Sequence, residues 1–134
     1  MKVAHLVGVA ALATTMACSG SSTATGTTNT PPPGATTVTI QDFSFTPANV
    51  TIKVGQTVFW GNNGPSAHTT VSDTGVWDSG TLEPPSGGSP GYAIDRSSGG
   101  SFQFTFMTAG TYHYHCKIHP PSLYPAFVGT ITVQ

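Results

Sequence analysis

An all-β sandwich or barrel is the fold class this sequence predicts, from short alternating apolar runs, frequent turn residues and scarce charge. Only 7% of the 134 residues are charged, whereas 16 are glycine and 11 are proline. A helical bundle would need far more Lys and Glu on its solvent faces. The formal net charge of −1, without a basic run or an aromatic stacking box, excludes nucleic acid from the expected partners. The chain is expected to act as a monomer.

The first segment predicts export. Lys2 supplies a positive start, residues 3–13 form an apolar stretch of signal-peptide length, and small residues follow. That stretch is too short to cross a bilayer as a helix. Residues 1–17 are therefore expected to be a signal peptide, taking the chain to a bacterial periplasm or cell surface. Thr15-Met16-Ala17-Cys18 resembles the bacterial lipobox, with Thr15 where Leu is usual. On that reading Cys18 is lipidated and anchors the chain to a membrane surface. The alternative is ordinary cleavage after Ala17, which leaves Cys18 incidental. Residues 18–36 read as a Ser/Thr/Gly tether stiffened by Pro31, Pro32 and Pro33. The folded domain is expected over residues 37–134.

Within it, strand signals follow one another. Val38 and Ile40 alternate with polar neighbours, as do Val50, Ile52 and Val54; Gly55 turns the chain, and Val58 and Trp60 follow. Phe102, Phe104 and Phe106 alternate in the same way. After Gly110, Tyr112, Tyr114 and Cys116 share one face, which places His113 and His115 on the other. Val128, Ile131 and Val133 close the chain. Such strands predict an antiparallel sandwich or barrel. Residues 84–100 interrupt the pattern as a long polar, Gly-rich loop, with Tyr92, Ala93 and Ile94 as candidates to pin its middle.

The chemistry concentrates in Tyr114-His115-Cys116-Lys117-Ile118-His119-Pro120. Cys116 ends a predicted strand and His119 follows three residues later, so a thiolate and an imidazole can meet at one strand-to-loop corner. His68 supplies a second imidazole from far upstream, also after a strand. A soft thiolate with two imidazoles in a nearly trigonal arrangement favours copper in electron-transfer sites. A zinc site would want a fourth strong ligand, and a Cys–His nucleophile would need an oxyanion pocket. The chain has two cysteines; with Cys18 lipidated, Cys116 is alone in an oxidising compartment, where a bound metal protects it.

The stretch from about residue 37 to 134 resembles the plastocyanin-like cupredoxins, the small blue copper proteins. The resemblance runs through Phe43-Ser44-Phe45-Thr46-Pro47, Val50 to Trp60, Asn62-Asn63 with Ala67-His68-Thr69, Asp78 to Leu82, Phe102 to Phe106 and Gly110 to Cys116. It implies a Greek-key sandwich or barrel of about eight strands with one type 1 copper near one end. It implies a one-electron carrier rather than an enzyme, passing electrons between a donor and an acceptor protein. Thr69 takes the position whose backbone N–H donates to the cysteine sulfur, and His115 the position used as an electron exit. A copper-delivery protein of the envelope is the competing function. The family's axial Met is absent: Ser122 and Tyr124 stand at its commonest spacings, and Met107 precedes the ligand strand. Alignment backwards from Val128-Gly129 puts Phe127 at the axial position, with Tyr124 the alternative.

Overall fold

A computed structural model describes residues 30–86 and 99–134. The expected signal segment, Cys18 and most of the tether lie outside the described residues, as do Tyr92, Ala93, Ile94 and most of the 84–100 loop.

Eight strands and no helix make up the described residues: β1 (Thr36–Gln41), β2 (Ser44–Thr46), β3 (Asn49–Ile52), β4 (Thr57–Asn62), β5 (Val71–Ser72), β6 (Ser101–Thr105), β7 (Gly110–His115) and β8 (Val128–Val133). They form two four-stranded sheets, ordered β2-β1-β4-β6 and β3-β8-β7-β5. Alternation drives the layering. Val38, Ile40, Val58 and Trp60 point inward from the first sheet, and Val50, Ile52, Tyr114, Ile131 and Val133 from the second, all buried. Their polar neighbours face outward, except in β4, where Phe59 is buried on the face opposite Val58 and Trp60.

Two pairings depart from the antiparallel expectation. β1 runs parallel to β4, and β3 parallel to β8. After β2 the chain leaves the first sheet, forms β3 in the second, and returns as β4 in the direction of β1. Periodicity marks which face a strand buries; it carries no information on the neighbour's direction. Two predicted core positions are also displaced. Val54 lies beyond the end of β3 and is 46% exposed, and Val128 is 41% exposed because Gly129, Ile131 and Val133 take the inward phase of β8. Phe102 and Phe104 are only partly buried, whereas Phe106 is sealed.

Two glycines are required by geometry. Gly55, at φ 87°, makes the turn between β3 and β4, where an L side chain is strained. Gly129 pairs with Tyr114 across β7 and β8, and a Cβ there would collide with Cζ, Oη and Cε1 of the tyrosine.

Candidate metal centre

The centre lies where β7 ends. Cys116 follows His115 directly and is fully buried, with its N–H donating to Phe127 O at 3.4 Å. The next residues turn sharply, bringing His119 back beside it, half-buried at the edge. His68 arrives from the opposite side. Its backbone is clipped to Leu82 by a reciprocal pair of hydrogen bonds, His68 N to Leu82 O at 3.0 Å and Leu82 N to His68 O at 2.7 Å. Buried Asn62 shapes the approach: its amide donates to Ser66 O and Leu82 O, and its oxygen accepts from Gly64 N. A fully buried amide with every group engaged makes a rigid support.

One donor atom from each of His68, Cys116 and His119 lies within 4.8 Å of the others, and this is the one such group among the described residues. The Nδ1 atoms of His68 and His119 are 3.2 Å apart, and His119 Nδ1 is 3.7 Å from Cys116 Sγ. Two imidazole nitrogens each about 2.0–2.1 Å from one ion can stand no more than about 4.2 Å apart. For nitrogen and sulfur the limit is about 4.4 Å, so both measured spacings fit one ion. Soft sulfur with two imidazoles suits copper.

Hydrogen bonds aim the donors. Thr69 N–H donates to Cys116 Sγ at 3.4 Å, and Thr69 Oγ1–H donates to the same sulfur at 3.7 Å. Lys117 N–H donates to Thr69 Oγ1 at 2.8 Å, tying the two ligand segments together. On the far side of His68, Nε2 meets Asp42 Oδ1 at 3.1 Å. An ionised carboxylate only accepts, so Nε2 carries the proton and Nδ1 presents a lone pair to the metal position. Burial holds the His68 imidazole below its ordinary value of 6.5; the nearby His119 adds to this, and Asp42 opposes it without prevailing. For Asp42, partial burial would raise the carboxyl, but hydrogen bonds from His68 and Ser66 outweigh it and the value falls.

Aromatic rings cover what remains. Phe127 is fully buried, edge-on to His68 at 5.0 Å between centroids and stacked towards His119 at 6.2 Å. Tyr124 meets His119 edge-on at 5.3 Å and stacks on Phe43 at 4.2 Å. Met107 is 68% exposed after β6. His113 is exposed, with Nδ1 3.1 Å from Thr130 Oγ1, and His115 bonds Asp73 at 2.6 Å. Both lie on the face opposite Tyr114, as alternation required. Asp42 and Phe43 escaped the sequence reading as site residues. Their only signal was an acidic residue before an aromatic one in a chain with five acidic residues.

An eight-stranded sandwich with a buried Cys and two converging histidines at one end defines a small copper protein of the cupredoxin class. Residues 33–134 match the copper binding proteins of the plastocyanin/azurin family, and the chain belongs to that family. It is a copper-based electron carrier whose cofactor is one type 1 copper. The chain is 39% identical over 95 residues to plastocyanin from Scenedesmus fuscus, covering 67% of this chain and 86% of the relative. It is 31% identical over 87 residues to amicyanin from Paracoccus denitrificans, covering 65% of this chain and 60% of that protein. Among solved structures, amicyanin from Paracoccus versutus superposes with a TM-score of 0.53 at 25% identity, over 82% of this chain and 96% of its own.

Proposed function

We propose that His68 Nδ1, Cys116 Sγ and His119 Nδ1 hold the copper, with Phe127 closing the axial side without donating to it. The observation that carries this is the convergence of the three donors beneath a fully buried Phe127 ring. Bound there, copper supplies a one-electron Cu(I)/Cu(II) couple. The chain's own part is to keep the donors still: Thr69 steadies the sulfur, Asn62 and Leu82 fix the His68 segment, and the aromatic cover excludes water. A frame that barely moves between oxidation states keeps the reorganisation of electron transfer small.

His119 is half-buried, and its loop exposes Leu123 and Ile118. An apolar rim around a ligand edge suits brief docking of a redox partner. His115, beside the ligand Cys and hydrogen-bonded to Asp73, is the second candidate exit. The sequence features support export by residues 1–17, lipidation at Cys18, a tether over 18–36 and a domain over 37–134.

Titration of the copper-free chain with Cu(II), followed by visible spectroscopy and voltammetry, tests this reading. An intense charge-transfer band with a reversible one-electron wave is expected, and Cys116→Ser should abolish the band. A colourless protein that takes up only Cu(I) would instead identify a copper-delivery protein.

A further inference from the structure

The tight turn between β1 and β2 is two residues long, Asp42 and Phe43, closed by the pair Gln41 and Ser44. Both side chains reach the metal centre. Asp42 places Oδ1 3.1 Å from His68 Nε2, and its other oxygen accepts from Ser66 Oγ at 3.3 Å. Among the ion pairs of the described residues, only this one touches a ligand imidazole. The fold makes room for it: a Cβ on Gly64 would stand 2.8 Å from Asp42 Oδ1 and 3.0 Å from its backbone nitrogen. Phe43 holds φ at 61°, a left-handed conformation that a phenylalanine adopts only under compulsion. Glycine or asparagine would sit there without strain, but neither would carry a ring to within 5.2 Å of the His119 ring and 4.2 Å of Tyr124. One turn thus addresses both imidazoles.

Resting on the ligand assignment above, we propose that Asp42 is a positioning residue of the copper centre. It locks His68 in the Nε2–H tautomer and sets a negative charge behind the ring that favours Cu(II) over Cu(I). The carboxylate therefore pulls the midpoint potential down, while Phe127, giving no thioether density, pulls it up. Outer partners of metal-bound histidines act in this manner, by orienting the ring and raising its basicity.

Two variants of the full chain separate charge from hydrogen bond. Asp42→Asn keeps an acceptor oxygen and removes the charge. The preference for Cu(II) over Cu(I) should fall about tenfold, an upward midpoint shift of about 59 mV for one electron. Asp42→Ala removes both. Cu(II) affinity should drop about 10- to 100-fold. In the copper-free protein, nitrogen NMR should show His68 passing from one tautomer to a mixture. Circular dichroism establishes that each variant folds; should Asp42→Ala unfold, the isosteric Asp42→Asn still decides through its potential. An unchanged potential in Asp42→Asn, or an unchanged His68 tautomer in Asp42→Ala, overturns the proposal. If the unaltered chain gives no charge-transfer band, the ligand assignment fails instead, and the tautomer measurement still decides whether Asp42 positions His68.

Discussion

At the scale of single residues, the centre is built from groups whose chemistry leaves few alternatives. Cys116 is a thiolate candidate with no solvent contact, and the donors on its sulfur come from one residue, Thr69, through both backbone and hydroxyl. On the proposed reading, Phe127 stands where the thioether-bearing members that the sequence resembles place their axial Met. Its ring packs against both imidazoles, so replacing it changes the metal's surroundings directly. Phe127→Met should donate sulfur density to Cu(II) and lower the midpoint potential, measured by voltammetry on the copper-loaded chain. An unchanged or higher potential would remove Phe127 from the axial position. The three candidate ligands were legible from sequence because ligand chemistry resides in residue type, and Cys-x-x-His at a strand end brings two donors to one corner. Asp42 was not legible: it lies 26 positions before His68, and nothing local marks an acidic turn residue as a partner of that ring.

Among the elements, β7 and β8 carry the greatest constraint, because β7 delivers Cys116 and β8 begins directly after Phe127. Their register sets Tyr114 opposite Gly129, with the ring lying over the glycine. Gly129→Ala should therefore destabilise the fold by about 1–3 kcal/mol, the ordinary range for overpacking. Urea unfolding of the copper-free chain would measure it. Combining it with Tyr114→Leu should give a loss smaller than the sum of the two single changes, since the clash partner is gone. Inward faces were readable for Val38, Ile40, Val58, Trp60 and Tyr114, because a side-chain period of two is a property of the extended backbone. Val54 and Val128 show the limit of that reading. Both keep β-type chemistry, yet one lies past its strand and the other at a strand end on the outward phase.

For the molecule as a whole, the centre links folding to acidity. His68 is buried neutral, with its folded value depressed below 6.5, so the unfolded chain binds a proton that the folded chain refuses. Stability of the copper-free protein should be full above about pH 6.5 and fall as the pH drops below it, by at most about 1.4 kcal/mol per pH unit for this one group. Asp42 is depressed below 3.8, so its contribution persists above that value and is lost further into acid. Urea midpoints at pH 7.5 and 5.5 test the first window; equal midpoints would show that His68 does not carry this linkage.

What could be known before folding was the chemistry and the local alternation: a β-rich chain, its strand faces, and a soft thiolate flanked by imidazoles suited to copper. Those depend on residue type and on the backbone's own period. The parallel pairing of β1 with β4, the turn that brings Asp42 and Phe43 to His68 and His119, and the Tyr114 ring over Gly129 were decided by the tertiary structure alone. Each is a contact between residues distant in the chain, and such contacts depend on which strands become neighbours, a choice no single segment encodes.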